Sequence, residues 1–225
     1  MIVAGLQKLT LLDYIDHLAC IVFTQGCNFN CGFCQNSGLI SMQAQTHINE
    51  EEVLDFLKKR VGILNGVVIS GGEPTLQKDL VSFIEKIKKL GYDVKLDTNG
   101  TNPQVLKELI DRSLVDYIAM DIKHLACKYE SITCCKVNKD SIKKSIQEVK
   151  RVPHEFRTTI IKGIHNEHNL DLICKYLGDT ETIYLQNFVM SEMVRDKNLT
   201  GFTANELDKI KNKLIRKYHN LNVRS

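Results

Sequence analysis

The chain has 225 residues, 43% apolar and 25% charged, with a formal net charge of +3. That balance excludes disordered and collagen-like classes, and the charge is too small to make nucleic acid the default partner. No apolar run approaches the ~20 residues that span a bilayer, and Met1-Ile2-Val3-Ala4-Gly5 is not the start of a signal peptide, so the expectation is one cytoplasmic domain over residues 1–225 with no membrane partner.

In chain order, strand-like runs alternate with helical stripes. Cys20-Ile21-Val22-Phe23 opens the series. Asn49, with Glu52 three residues on, predicts a helix start whose face is Val53, Leu54, Leu57 and Val61. Val67-Val68-Ile69 is the next strand, followed by the stripe Leu76, Leu80, Ile84 and Ile87, closed by Gly91. Val94-Lys95-Leu96 precedes a helix entered through Asn102-Pro103 and carrying Leu106, Leu109 and Ile110. The run from Val115 to Met120 leads to a helix marked by Ile142, Ile146 and Val149. Thr158 to Ile161 leads to one marked by Leu170, Ile173 and Leu177, stopped by Gly178. Ile183 to Phe188 is the last strand, and Thr203 with Glu206 forms a capping box for Leu207, Ile210 and Leu214.

Six strands, each followed by a helix, predict a parallel sheet with right-handed crossovers. A closed eight-stranded barrel takes ~250 residues, so the expected class is α/β, a partial (β/α)6 TIM-like barrel with parallel strands. Pattern alone leaves a doubly wound sheet as the alternative. Either way, functional groups gather at the carboxyl ends of the strands. There the sequence places Cys27, Ser70-Gly71-Gly72-Glu73-Pro74, Asp97-Thr98-Asn99-Gly100, Asp121-Ile122-Lys123 and Gln186-Asn187-Phe188.

Eight cysteines in a cytosolic-looking chain point to metal or redox chemistry rather than disulfides. Cys27, Cys31 and Cys34 lie within eight residues. Three soft thiolates suit an iron–sulfur cluster that leaves one iron open for a small molecule. A structural zinc site, with His17 or His47 as fourth ligand, is the competing reading. Gly71 and Gly72 allow close backbone approach to a ligand, and Glu73 offers a carboxylate to an ammonium; a tight turn explains the same residues equally well. Cys20, Cys127, Cys134, Cys135 and Cys174 have no ligand-like spacing and read as incidental thiols. His165 and His168 read as a loop entering a helix, and Lys209, Lys213, Arg216 and Lys217 as a solvated face.

Cys27-x-x-x-Cys31-x-x-Cys34, with Phe33 before the last cysteine, resembles the signature of radical S-adenosylmethionine (SAM) enzymes. Gly5-Leu6-Gln7-Lys8, Phe23-Thr24-Gln25-Gly26-Cys27, the run Val68 to Gln77, Lys95-Leu96-Asp97-Thr98-Asn99-Gly100 and Asp116 to Lys123 extend the likeness to about Phe188. Together they resemble the anaerobic ribonucleoside-triphosphate reductase activating proteins and, more distantly, pyruvate formate-lyase activating enzymes. The sequence departs from that pattern at Gln35, where histidine is common, and at Cys134-Cys135, where glycine is common.

The resemblance implies a [4Fe-4S] cluster on Cys27, Cys31 and Cys34, with SAM on the fourth iron. It implies that Ser70, Gly71, Gly72 and Glu73 hold the methionine ammonium, that Asp121, Lys123 and Arg157 reach the ribose and carboxylate, and that Phe33 lies along the adenine. Asp97, Thr98, Asp121 and the Ala119 carbonyl match the ligands of a monovalent cation. The implied partners are a low-potential electron donor, flavodoxin or ferredoxin, and a glycyl radical enzyme as protein substrate. Within the same chemistry, the alternative is a deazaguanine synthase-like enzyme acting on a small molecule; outside it, a non-catalytic iron–sulfur or zinc module.

Overall fold

The structure is a computed structural model and describes residues 1–43 and 47–224. Eight strands form one open sheet in sequence order: β1 (Val3–Thr10), β2 (Ala19–Thr24), β3 (Gly66–Gly71), β4 (Asp93–Thr98), β5 (Tyr117–Asp121), β6 (His154–Ile160), β7 (Ile183–Asn187) and β8 (Leu221–Arg224). β1 runs antiparallel to β2; every later pairing is parallel. The six expected strands are β2 to β7, so the partial barrel is present, extended by one strand at each edge. β1 has irregular register against β2 and lacks the apolar alternation that marks a strand in sequence, and the alternation of β8, Leu221-Asn222-Val223-Arg224, is only four residues long.

The crossovers carry α1 (Glu50–Lys58), α2 (Leu80–Lys89), α3 (Pro103–Asp111), α4 (Tyr129–Thr133), α5 (Lys139–Val149), α6 (Glu167–Leu177) and α7 (Ala204–Leu214). The α7 capping box forms as expected: Thr203 accepts from the Glu206 N–H while Glu206 reaches back. Gly91, at φ 86°, takes the left-handed turn past α2. β6 begins at His154, four residues before the expected run, and α4 lies outside the expected pattern; three details at the ends of the expected helices also differ from the sequence pattern. The Asn49 side chain bonds Glu52 Oε1 at 3.2 Å and caps no backbone N–H. Val61 is 54% exposed beyond the end of α1. Leu76 sits in a 3-10 turn (Pro74–Leu76) ahead of α2, because Pro74 and the Glu73 side chain fix that turn.

Strand alternation separates two environments. Cys20, Val22, Val67, Ile69, Val94, Leu96, Ile118, Met120, Phe156, Ile183 and Leu185 are fully buried in one core with Val53, Leu57, Phe83, Ile84 and Leu106 from the helices. The alternate positions face the inside of the curved sheet. On β2 and β3 these are apolar, Ile21 and Val68 packing with Tyr14. From β4 onward they are charged or polar: Lys95, Asp97, Tyr117, Asp121, Glu155 and Arg157. The inner face therefore has an apolar floor at one end and an ionic wall at the other. No described helix is long and apolar enough to cross a membrane.

Candidate active site

The strand ends open into one cleft of about 660 Å³. It is lined by Cys27, Cys31, Cys34, Phe33, Ser70, Gly71, Gly72, Glu73, Asp97, Thr98, Asp121, Lys123 and Arg157. Every residue singled out in sequence for the cluster, the cofactor and the cation, apart from Ala119 with its carbonyl, thus lines a single cavity.

The cysteines sit on the loop leaving β2. Its first part is pinned by Gly26 N–H to the Leu39 carbonyl at 2.8 Å and Cys27 N–H to the Ile40 carbonyl at 3.0 Å. Asn99 Nδ2 donates to Asn28 Oδ1 at 2.8 Å and lies 4.0 Å from Cys27 Sγ, tying the loop to the end of β4. No disulfide joins any of the eight cysteines. Burial pushes the Cys27 and Cys31 thiols up to about 11, so without a ligand they stand protonated at neutral pH.

The glycines of the β3 turn are required by the protein itself. A Cβ on Gly71 would stand 2.3 Å from Thr24 N, and one on Gly72 would stand 2.1 Å from the Gly26 carbonyl oxygen. Gly72 N–H donates to Thr24 O at 2.9 Å, and Glu73 N–H to Gly26 O at 2.7 Å, so the β3 turn is stitched to the cysteine loop backbone to backbone. The Glu73 carboxylate, fully buried, accepts from Thr75 N–H (3.1 Å), Thr75 Oγ1 (2.6 Å), Thr98 Oγ1 (2.8 Å) and Asn99 N–H (2.6 Å). Burial raises its pKa against the pull of these donors. The side chain serves as an internal brace between β3 and β4.

The third component is ionic. Arg157 Nε donates to Asp121 Oδ1 at 2.9 Å, and its guanidinium lies 3.3 Å from Asp97 Oδ2. Lys123 Nζ donates to Asp121 Oδ2 at 2.9 Å and stands 5.7 Å from the centre of the Phe33 ring. Ser70 Oγ donates to Asp97 Oδ2 at 3.0 Å. Burial acts to raise the Asp121 pKa, but Arg157 and Lys123 outweigh it and hold the carboxyl at about 2. Asp97 Oδ1 is buried without a partner. Of the cation-ligand positions, Thr98 is engaged with Glu73 and Asp121 with its two cations, which leaves this oxygen as the unsatisfied atom.

Sequence reasoning missed a lower ionic layer. Lys95 Nζ lies 3.3 Å from Glu155 Oε1, both side chains nearly fully buried; Tyr117 donates its hydroxyl to Glu155 Oε2 at 3.3 Å. Arg224, on unexpected β8, stacks on Tyr184 at 3.6 Å and lines the cleft. Partners 60 residues apart are set by strand register, which no local motif records.

Among the described residues, no three Cys, His, Asp or Glu side chains converge on a point that one metal ion could occupy. The zinc alternative lacks its fourth ligand as well. His17 precedes β2, at the opposite end from Cys27; its ring stacks on Tyr14 at 3.7 Å, and Nε2 bonds Asp93 at 3.1 Å. His47 is exposed and lies outside the cleft lining. A cubane makes no such demand, because each thiolate binds a separate iron. Three thiols around one cleft fit that donor set.

The other thiols are placed as expected for incidental residues: Cys20 and Cys174 are fully buried in the core, and Cys127 and Cys134 are exposed. Cys134 has φ 53°, the left-handed conformation that favours glycine. His165 stacks on His124 at 4.8 Å, and Asn166 caps α6. Lys213 and Lys217 of the basic face pair with Glu167 and Asp171 at 2.7 and 2.9 Å.

The sequence pattern of the Radical SAM superfamily matches residues 21–174. A protein of Methanocaldococcus jannaschii named for activating glycyl-radical enzymes is 33% identical, over 96% of this chain and 92% of its own. Among solved structures, a domain of pyruvate-formate lyase-activating enzyme from Bacteroides vulgatus aligns at TM-score 0.57 and 17% identity, covering 72% of this chain and 99% of that one. QueE from Escherichia coli aligns at TM-score 0.60 and 15% identity, covering 100% and 93%. These two likenesses bear on fold.

Proposed function

The chain belongs to the Radical SAM superfamily, and from that membership we propose that it generates a glycyl radical on a partner enzyme. The observation that carries the proposal is the end-to-end match, 33% identical, to a relative named for that activity. The family implies a [4Fe-4S] cluster and SAM. When bound, they supply one-electron chemistry able to take a hydrogen atom from an unactivated carbon.

The residues of this chain divide the remaining work. Cys27, Cys31 and Cys34 hold the cluster. Ser70 and the half-exposed backbone at Gly71 and Gly72 receive the methionine ammonium, with Glu73 bracing the turn from behind. Lys123 and Arg157, held charged by Asp121, meet the carboxylate and ribose, and Phe33 lies along the adenine. Asp97 Oδ1 is the atom that a monovalent cation would satisfy. No side chain is required as general acid or base. The polar wall formed by β6 to β8 remains for a substrate segment, which must reach within ~3–3.5 Å of the reacting carbon.

The proposed partner is an anaerobic ribonucleoside-triphosphate reductase, and the electron donor a flavodoxin or ferredoxin. Deuterium placed on the partner's glycine Cα tests this reading. It is expected to appear in 5′-deoxyadenosine, with a doublet paramagnetic resonance signal on the partner. Label arriving from a small molecule, with no radical on any protein, would replace the activase reading with the deazaguanine synthase-like one.

A further inference from the structure

Residues 189–196, which follow β7, form a strap across the cysteine loop. The backbone N–H groups of Arg195 and Asp196 both donate to the Gly32 carbonyl, at 3.2 and 3.1 Å. The Arg195 guanidinium donates to the carbonyls of Asn30 (2.9 Å) and Cys31 (3.2 Å). Further along, Gln35 Nε2 donates to the Val189 carbonyl at 3.1 Å, and Ser37 Oγ to the Met193 carbonyl. Gly32 fits closely against the strap: a Cβ there would lie 3.2 Å from Asp196 Cβ.

The three consecutive carbonyls of Asn30, Cys31 and Gly32 are therefore held by two consecutive residues from the other end of the sheet. Within the loop itself, the Cys34 N–H bonds the Cys31 carbonyl at 3.2 Å and the Phe29 N–H the Cys27 Sγ at 3.4 Å, and the Asn30 N–H donates outward to the Thr133 carbonyl at 2.8 Å. Fixing each residue of an irregular loop costs about 1–2 kcal/mol of backbone entropy, which ligand binding must otherwise offset. Both bonds come from one terminal nitrogen, Nη2, which reaches the two carbonyls at once, and the guanidinium charge opposes that of three thiolates.

We propose that Arg195 is a positioning residue for the cluster. Acting through the backbone of Asn30 and Cys31, it keeps the three thiols in ligating arrangement and sets how firmly iron is retained. This rests on the reading that Cys27, Cys31 and Cys34 hold the cluster. It adds a determinant outside the cysteine motif, from a segment that resembles no element of secondary structure.

The test uses Arg195→Ala and Arg195→Lys, reconstituted anaerobically beside the wild-type protein without SAM or partner. Iron release to a ferrous chelator and melting of the iron-free proteins are both followed. Arg195→Ala is expected to lose iron about 10- to 100-fold faster, the usual cost of removing a group that orients metal ligands. Arg195→Lys is expected to fall between, since it keeps the charge but its ammonium ends one bond short of the position of Nη2. Iron-free melting temperatures should agree across all three, because Arg195 bonds an unliganded loop. Iron release unchanged in Arg195→Ala overturns the proposal. So does equal loss in Ala and Lys variants with matching drops in melting temperature, which would make the residue structural. A wild-type protein that takes up no iron removes the cluster reading itself, and this proposal with it.

Discussion

The cysteine loop and the ionic group of Asp97, Asp121, Lys123 and Arg157 face each other across one cleft but are built in opposite ways. The ionic group stands at strand ends, its members neighbours by register, Asp121 directly beside Arg157. Its charges are paired with one another before any ligand arrives, and Asp97 Oδ1 alone is left without a partner in this group. The thiols project from an irregular loop tied by turns and by the strap; burial keeps Cys27 and Cys31 protonated. One half of the cleft is thus a finished part of the fold, and the other, on the proposed reading, is completed by the cluster it holds. Changes in the first should cost stability, and changes in the second should cost binding.

Cys31→Ala makes the largest break. Iron after anaerobic reconstitution should fall from about four per chain to near zero, since two thiolates cannot hold an open-sited cubane. The iron-free protein should melt close to wild type. Metal analysis and melting together separate the two effects; retained iron would show that the cysteine assignment is wrong.

Arg157→Met should invert that pattern. It leaves Asp121 and Asp97 without their shared cation. Fully buried pairs broken on one side lose about 3–5 kcal/mol, and the 15–29% exposure of these side chains lowers the expectation to about 2–3 kcal/mol. A shift in the urea midpoint measures it, while iron uptake should be nearly unchanged.

The residues that order the ionic half supply a pH test. Burial, helped by the neighbouring His124, lowers the pKa of His165 to about 4. Its Nδ1 accepts from the Ile161 N–H at 3.1 Å, which leaves Nε2, at 3.2 Å, to donate to the Lys123 carbonyl. The unfolded chain binds this proton more readily than the folded one. The neutral ring's contribution is therefore complete above pH ~6.5 and lost as pH falls towards 4. Between pH 7 and 5 the loss should be about 2 kcal/mol, and a pH-insensitive His165→Gln variant would confirm its source. Asp121 acts in another window: its stabilisation is present above pH ~4 and disappears as pH falls through about 2.

The smallest expected effect is at Cys134. Glycine suits its left-handed backbone, so Cys134→Gly should stabilise by less than about 1 kcal/mol and leave iron content unchanged. Lost iron in this variant would bring the loop after α4 into the cluster site.

The same division governed what could be read from the sequence. Helices with apolar stripes and capping residues, and strands with continuous apolar runs, follow from local side-chain periodicity. The convergence of Cys27, Glu73, Asp97 and Asp121 followed from the strand-end rule once the order was known. β1 escaped because it buries too little to impose a pattern, and β8 because its alternation lasts only four residues. Glu73 was legible as a site residue but not as a brace, because its donors come from two different turns. Arg157 was reachable only through family resemblance, and Lys95 with Glu155 not at all. Arg195 escaped for a further reason: an arginine whose partners are backbone carbonyls requires no particular residues opposite it.

The contact between the turns after β2 and β3 has a consequence for spacing. At Gly71 and Gly72, peptide groups meet with no side chain between them, so the separation is set by bond lengths and two hydrogen bonds, and no rotamer can adjust it. The pair works as a fixed gauge between the cysteine loop and the turn facing it. A single methyl at Gly72 would force the two apart by about 1 Å, a displacement of the size that costs about 10²-fold when it separates reacting groups. The dimension on which the cleft depends is thereby written into backbone covalent geometry, where thermal motion of side chains has no access to it.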